Sequence, residues 1–282
     1  MPAVTVVVLT MGDRPAELAA AVESARRQAV DLEIVLVING GDPDRSLADI
    51  VVEPGENLGI PEGRNRGAAA GTGALICFLD DDGALDGDVF GPAIAAFAAN
   101  DRLGVIGLRV VDEDGKTARR HVPGLRKDAE RSASATAFPG GACLVRRTAF
   151  DAVGGLCGPF HYGLEETDLA WRLIDARWEI TYRADLTMRH PRTNPTRHPE
   201  FFFHTARNRV WLAHRALPLP LAVAYVLNWT LITVMRSWSD MQAVCAHVRG
   251  LRAGVRGRPG PRRPMRCGTV AELTRRGRPP VI

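Results

Sequence analysis

The sequence predicts an α/β fold built around a mostly parallel central sheet, and three observations support this. Residues 4–9 form an unbroken, largely β-branched run, which is typical of a strand buried on both faces of a parallel sheet. Residues 33–38 repeat the pattern after a segment whose apolar residues are spaced three and four apart, as on one face of a helix. Strand and helix patterns then alternate with the rhythm of βαβ units.

The remaining elements follow in order along the chain. A loop leads to Pro15, which suits the first turn of a helix. Further strands are predicted at residues 48–52, 74–79, 104–111 and 142–146, and a short extended segment begins at Thr181. Residues 121–134 read as a polar loop, and a helix begins within residues 162–173. The first turn lacks G-x-G-x-x-G, which argues against an NAD-binding domain.

Three consecutive aspartates, Asp80, Asp81 and Asp82, directly follow the apolar run at residues 74–79. Adjacent carboxylates repel one another, so the cluster is unfavourable unless a cation binds there. Mg²⁺ and Mn²⁺ prefer carboxylate oxygens, and open α/β sheets bind ligands at the carboxyl ends of their strands. Taken alone, however, the triplet is better explained as a turn followed by a helix N-cap, because Asp favours both.

The cysteines and the N-terminal residues indicate the cellular compartment of the protein. The five cysteines are widely spaced and form no C-x-x-C pair, which argues against a disulfide framework or a zinc site and fits a reducing environment. The first residues lack the charged region and cleavage site of a signal peptide. We therefore expect a cytoplasmic protein.

The C-terminal third differs in character from the rest. Residues 217–235 are the most apolar stretch but contain Pro218, Pro220 and Asn228, so a helix lying on a membrane is favoured over a spanning one, with packing on protein as the alternative. After His247 the chain carries ten arginines and one acid, which predicts a flexible basic tail. That tail could bind an anionic membrane surface or remain merely solvated, whereas nucleic acid is the less favoured partner. We expect a catalytic domain at 1–212, an apolar helical segment at 213–246 and the tail at 247–282.

Several motifs occur in a fixed order. They are the first strand ending at Thr10, N-L-G-x-x-x-G-R-N-R-G at 57–67, F-L-D-D-D at 78–82, P-G-G-A-C-L-V-R-R at 139–147 and F-H-Y-G-L-E-E-T-D-L-A-W-R at 160–172. With these motifs the chain resembles the family 2 glycosyltransferases of the GT-A fold, especially the rhamnosyltransferase-like members. The resemblance covers residues 4–212 and implies a Rossmann-like sheet flanked by helices, to which this chain adds a C-terminal helical extension.

The resemblance implies inverting transfer of a hexose-type sugar from a nucleotide-diphosphate donor, UDP- or dTDP-linked, to an acceptor hydroxyl. The acceptor would be a carbohydrate, a lipid-linked glycan or a small molecule in bacterial cell-wall or polysaccharide synthesis. A divalent cation, Mn²⁺ or Mg²⁺, would assist the leaving diphosphate. The enzyme would work in the cytoplasm, in part on the inner face of the membrane, and a homo-oligomer stays open.

The same resemblance assigns metal ligands and a base. Asp80 and Asp82 match the metal-binding acids, and His190 matches a histidine that completes the metal shell in several relatives; otherwise His190 is an ordinary surface or core residue. Glu166 matches the base that takes the acceptor proton, and Glu165 is the second candidate. Relatives often carry Asp at the position of Glu166, so the longer side chain is a departure.

Donor contacts follow from the remaining motifs. The matching residues are Thr10, Asp13, Asn57, Arg64, Asn65, Asp81 and Arg207. Asp81 would contact the ribose or serve the structure, and Arg207 could equally be a structural cap. Ile38 is a second departure, because relatives commonly place an acid there to hold the base; Asp42 or Glu53 could substitute.

Two other classes compete with this interpretation. A sugar nucleotidyltransferase needs a lysine near the first strand, but the only lysines are Lys116 and Lys127. A catalytically impaired nucleotide-binding or membrane-scaffold protein of the same fold stays open because of Glu166 and Ile38.

Overall fold

A computed structural model describes residues 1–118, 122, 128–192, 200–257 and 259–281. In this part of the chain, one nine-stranded sheet has the order β3-β2-β1-β4-β8-β6-β9-β5, with β7 paired to β9. The strands are β1 (Val4–Thr10), β2 (Leu32–Ile38), β3 (Ile50–Val52), β4 (Leu75–Asp80), β5 (Ala84–Asp86), β6 (Leu103–Val111), β7 (Ala133–Ser134), β8 (Ala142–Arg146) and β9 (Glu179–Arg189). The helices are α1 (Pro15–Arg26), α2 (Gly59–Ala70), α3 (Phe90–Ala99), α4 (Arg147–Ala152), α5 (Glu165–Asp175), α6 (Phe201–Ala216), α7 (Leu219–Ser237), α8 (Met241–Arg256) and α9 (Cys267–Arg275).

The direction of the strands differs between the two halves of the sheet. β3, β2, β1 and β4 run parallel, as the βαβ rhythm predicts. β8 runs antiparallel to both β4 and β6, and β5 and β7 run antiparallel to β9. The sheet is therefore mixed. The sequence predicted a mostly parallel sheet and did not distinguish the antiparallel pairs, because a strand buried on both faces has the same apolar pattern in either direction.

Alternation along β1 explains its unbroken apolar run. Val6 and Val8 face one side of the sheet and pack in the cluster that contains Leu18 of α1. Val7 faces the other side and packs with Phe78 and with Ala68 of α2. Because helices cover both faces, every position of the strand must be apolar.

Most predicted elements are confirmed, with shifted ends. β3 is shorter than predicted and β9 is longer, since its segment starts at Glu179. The turn at residues 112–115 is present, with the Gly115 N–H donating to the Asp112 carbonyl at 3.0 Å. Of the polar loop predicted at 121–134, residues 121 and 123–127 lie outside the described residues.

The C-terminal third is more ordered than the sequence suggests. Residues expected in a flexible tail form the second half of α8 and then α9. α8 packs closely on α6, since a Cβ at Gly250 would overlap the Phe203 carbonyl and lie 2.8 Å from Ala206 Cβ. Arg262 Nη1 donates to the His214 carbonyl at 2.7 Å. The predicted boundaries at 212 and 246 fall inside α6 and α8, and the division into domains stays a prediction.

Packing between α2 and the sheet gives a stability prediction. A Cβ at Gly67 would overlap Val7 Cγ1 and lie 2.9 Å from Val37 Cγ2, whereas a Cβ at Gly268 on α9 would meet nothing within 4 Å. We expect Gly67→Ala to lower the free energy of unfolding by about 1–3 kcal/mol through overpacking. Gly268→Ala should leave it unchanged or raise it by at most about 1 kcal/mol. Urea unfolding of both variants checks this, and equal stability of the two would contradict the packing described.

Candidate active site

The predicted metal ligands come together at one edge of the sheet. β4 ends at Asp80, and β9 ends one residue before His190. Asp80, Asp82 and His190 each offer one ligand atom, and these atoms lie within 4.8 Å of one another. His190 Nε2 is 3.1 Å from Asp82 Oδ1 and 3.9 Å from Asp80 Oδ2. Two strand ends far apart in sequence thus form one cluster.

The orientation of the His190 ring favours a ligand role. Its Nδ1 lies 2.7 Å from the Pro191 carbonyl oxygen, which can only accept a hydrogen bond, so Nδ1 carries a proton. In the neutral ring Nε2 then carries the lone pair that faces the two aspartates. Although burial lowers the His190 pKa, the hydrogen bond and charge of Asp82 raise it overall. Two carboxylates and one imidazole fit Mn²⁺, provided that the ring gives up its second proton.

Arg14 also lies in this cluster, and the sequence motifs did not identify it. Its guanidinium contacts Asp82 and lies 2.9 Å from Asp81 Oδ1. Only its place in the loop after β1, next to Asp13, could have suggested a role. Burial acts to raise the pKa of Asp82. The hydrogen bond and charge of His190, together with Arg14, outweigh burial and lower that pKa overall. Arg14 therefore balances part of the negative charge.

Asp81 is the buried member of the triplet. The Thr10 hydroxyl donates to Asp81 Oδ2 at 2.7 Å, which links the ends of the parallel strands β1 and β4. Burial raises the Asp81 pKa to about 6, although Thr10 and Arg14 act to lower it. Asp13, the other predicted residue of this loop, is exposed and lies 3.7 Å from Arg14.

Arg64 connects the triplet to α5. Its buried guanidinium lies 2.7 Å from Asp80 Oδ1 and 3.7 Å from Glu165 Oε1. It also lies 5.9 Å from the centre of the Phe78 ring. A Cβ at Gly141 would overlap the Asp80 carboxylate, so the P-G-G motif leaves room for that side chain. Arg64 thus holds Asp80 in place and faces the acids of the next helix.

The two glutamates open α5, and their pKa values are raised. Glu165 is buried, and its Oε2 has no hydrogen-bond partner among the described residues. Burial raises the Glu165 pKa although Arg64 opposes this. Glu166 is partly exposed, and burial together with the neighbouring Glu165 charge raises its pKa to about 8. A carboxylate with a pKa near the working pH is suited to take a proton.

Three residues predicted to contact the nucleotide-sugar donor form hydrogen bonds that hold loops in place. Asn57 Oδ1 accepts from the Gly59 N–H at 2.8 Å. Asn65 bonds the backbone N–H and carbonyl of Leu156, both at 2.9 Å. Arg207 lies over Trp211, with its Cζ 4.3 Å from the ring centre, and Nη2 donates to the Phe160 carbonyl at 2.7 Å. None of the described contacts of these residues reaches the metal-ligand cluster.

The expected substitutes for an acid at Ile38 are engaged elsewhere. Ile38 is buried, and Arg45 lies 2.6 Å from both Asp42 and Glu53 on the surface.

Asp168 pairs with Arg172 at 2.6 Å, as its spacing in the helix predicts, and also with Arg215 at 3.0 Å. That pair therefore stabilises α5.

Comparisons with known proteins agree with this geometry. The family model described as glycosyl transferase family 2 matches residues 5–154, which is more than half of the 282 residues. None of the curated proteins compared with the sequence matches it.

Solved structures share the fold at low sequence identity. Residues 1–349 of S. aureus TarS are 15% identical with a TM-score of 0.63, covering 89% of this chain and 78% of that one. The mannosyltransferase PcManGT from Pyrobaculum calidifontis, in complex with GDP-Man and Mn²⁺, is 17% identical with a TM-score of 0.59, covering 97% and 79%. GalNAc-T7 with UDP, GalNAc and Mn²⁺ is 17% identical with a TM-score of 0.57; 75% of this chain is covered, and the chain spans 48% of that protein. From the family match and the GT-A fold, we conclude that the chain belongs to glycosyl transferase family 2.

Proposed function

We propose that this glycosyltransferase is inverting and metal-dependent, and that it moves a sugar from a nucleoside diphosphate to an acceptor hydroxyl. One observation carries the proposal. Nη2 of the Arg64 guanidinium lies 2.7 Å from Asp80 of the metal-ligand cluster, and Nη1 lies 3.7 Å from Glu165, the neighbour of Glu166 in α5. The proposed leaving-group site and the helix that carries the proposed base thus meet at one buried guanidinium.

The leaving-group side belongs to the triplet. Asp80, Asp82 and His190 would hold Mn²⁺ or Mg²⁺, whose charge stabilises a departing diphosphate. Two of the structures named above hold Mn²⁺ together with a nucleotide or nucleotide sugar. Similarity at this level shows the fold alone, so the support comes from the donor atoms of this chain. The choice between the two ions stays part of the proposal.

The donor's base and ribose would lie beside β1. Thr10 and Asp81 are hydrogen-bonded there, and Asp13 is exposed at the same loop. We keep a UDP- or dTDP-linked donor as the proposal. Arg14 would contact a phosphate, and Arg64, the predicted donor contact, would act through Asp80. Asn57, Asn65 and Arg207 would act indirectly, because they hold the surrounding loops.

Glu166 is the proposed base that receives the proton of the acceptor hydroxyl. Displacement with inversion needs a base on the face of the sugar opposite the leaving group, where it takes the proton of the attacking hydroxyl. Glu166 is partly exposed and has a raised pKa, so it can both reach the hydroxyl and accept its proton. Glu165 is buried beside Arg64 and would set the charge around it.

We further propose that the enzyme works at the cytoplasmic membrane surface, on a carbohydrate or lipid-linked acceptor. By length and composition, α7 is long and apolar enough to cross a membrane, and 11% of its most apolar 18-residue stretch is buried. Its exposed side chains recur about every four residues, which places them on one face. They are Leu219, Val223, Leu227, Leu231, Val234 and Met235, and the exposed Trp238 directly follows the helix. Such a face, next to arginine-rich α8, suits an anionic lipid surface.

The metal proposal predicts a large loss of turnover. Asp80→Asn, Asp82→Asn and His190→Ala should each lower Mn²⁺-dependent release of nucleoside diphosphate from its sugar donor by at least about 100-fold, because metal stabilisation is worth several kcal/mol. Asp86→Asn, which alters an exposed acid paired with Arg189, is the matched control. Full activity without Asp80 and Asp82 would exclude this mechanism. Tight nucleotide binding without turnover in the wild type would favour a catalytically impaired protein.

The role of Glu166 predicts a pH dependence. Turnover should rise with pH through an apparent pKa near 8, and Glu166→Gln should lower it by about 10²- to 10⁴-fold and remove that dependence. The pKa of Glu166 is higher in the folded protein than in the unfolded chain. The free energy of unfolding therefore falls as pH rises from about 4.5 to 8. Glu166→Gln should therefore raise Tm at pH 8.5 and leave it unchanged at pH 4. A lower Tm at pH 8.5 would contradict this account.

Membrane association is tested with vesicles. The wild type should co-sediment with vesicles containing phosphatidylglycerol, and Leu227→Asp with Leu231→Asp should lower the bound fraction at least about tenfold by charging the apolar face. Ala95→Asp with Ala98→Asp adds the same charges to exposed positions of α3 and should change little. Equal binding of both double variants would exclude α7 as the contact.

A further inference from the structure

The segment after β9 is attached to the turn after β6. The two strands are parallel neighbours, so they end at the same edge of the sheet, with Val111 opposite Arg189. The His190 backbone N–H donates to the Val111 carbonyl at 2.9 Å. Two residues later, the Arg192 backbone N–H donates to Glu113 Oε1 at 2.9 Å. The backbone on both sides of Pro191 is therefore held by residues that end or follow β6.

The side chain of Arg192 binds two further acids of the same turn. Its Nη2 donates to Asp112 Oδ2 at 2.6 Å and lies 3.2 Å from Asp114 Oδ2. The other oxygen of Asp112 accepts from the backbone N–H groups of Asp114 at 3.1 Å and Lys116 at 2.9 Å. Because the turn itself already holds Asp112 in place, its ion pair with Arg192 costs less conformational entropy than a pair between two free side chains.

The peptide unit between Pro191 and Arg192 connects this turn to the His190 ring. The Pro191 carbonyl and the Arg192 N–H belong to one planar group, and in the trans form they point in opposite directions. The N–H points to Glu113, so the carbonyl points away from the turn, where its oxygen lies 2.7 Å from His190 Nδ1. Glu113 thus fixes the direction of the carbonyl that orients the ring.

The other ring nitrogen faces the acids of the metal-ligand cluster. With Nδ1 at the Pro191 carbonyl, His190 Nε2 lies 3.1 Å from Asp82 Oδ1. Rotation of the Pro191 peptide would remove the acceptor from Nδ1, and the ring would lose the contact that sets both its tautomer and its orientation. The acids of an exposed turn therefore act on the metal-ligand cluster through one peptide and one imidazole ring.

We propose that Glu113 and Arg192 are positioning residues, which aim the Pro191 carbonyl at His190 Nδ1 and so keep Nε2 directed at the cation site. This inference rests on the proposed function, because it requires His190 to be a metal ligand. Partners that orient a histidine ligand are commonly worth about 10- to 100-fold in metal affinity. Glu113 is exposed, so its side chain can be altered without opening the core.

The test measures binding of Mn²⁺ alone to the full chain, by calorimetry and by pulsed EPR, which detects an imidazole nitrogen bound to Mn²⁺. Glu113→Ala should raise the Kd for Mn²⁺ at least about tenfold and weaken the nitrogen coupling, because the Pro191 carbonyl loses its direction. Arg192→Gln should act in the same direction. Glu113→Gln keeps an oxygen acceptor for the Arg192 N–H and should restore the Kd to within about threefold of the wild type.

Glu130→Ala is the matched control, since it removes another exposed glutamate, whose partner is the Arg109 side chain at 3.5 Å. Its Kd should stay within about twofold of the wild type. His190→Ala gives the full effect of losing the ring. Unchanged Kd and nitrogen coupling in Glu113→Ala, while His190→Ala loses both, would overturn this inference and leave the proposed metal site. An equal loss in Glu113→Ala and Glu113→Gln would also overturn it. Mn²⁺ binding without nitrogen coupling in the wild type would refute the metal role of His190 and this inference with it.

Discussion

The buried guanidinium of Arg64 is the interaction on which the site depends. It joins Asp80 at the end of β4 to Glu165 at the start of α5, at 2.7 and 3.7 Å. Without this cation, the partly exposed Asp80 and the buried Glu165 would lose the positive charge between them. Removing Arg64 would leave both carboxylates without their shared partner, which is more unfavourable for the buried Glu165 than for the solvent-screened Asp80. The fold and the site therefore share one electrostatic centre.

The surroundings of Arg64 give carboxyl groups of the same chemistry different pKa values. On one side, Arg14 and His190 lower the pKa of Asp82, which keeps it ionised and suited to bind a cation. On the other side, burial and Glu165 raise the pKa of Glu166 to about 8, which suits a proton acceptor. Carboxyl groups of the same chemistry thus acquire different properties from their surroundings.

Local pattern predicted much of the fold and part of the site. Most strands and the helix at Glu165 follow from short segments, whereas β5 and β7 were not predicted and the metal role of the aspartate triplet came from the family resemblance. Strand direction did not, because burial on both faces erases the difference. The order of α8 and α9 was also missed, since glycines such as Gly250 suggest flexibility in a sequence and close helix packing in a structure. Arg14 carried no motif, and its role depends on where the loop after β1 meets the triplet.

The sequence by itself determined which elements form and which residues can carry the chemistry. Hydrophobic periodicity acts locally and predicted the elements, whereas Asp80, Asp82 and Glu166 were named without a structure because their motifs resemble those of the family. Only the tertiary structure decided their partners. His190 meets Asp82 across 108 residues of chain because β9 ends at the same edge as β4. Arg64 contacts Asp80 rather than solvent, because packing of distant segments sets distances that no local pattern contains.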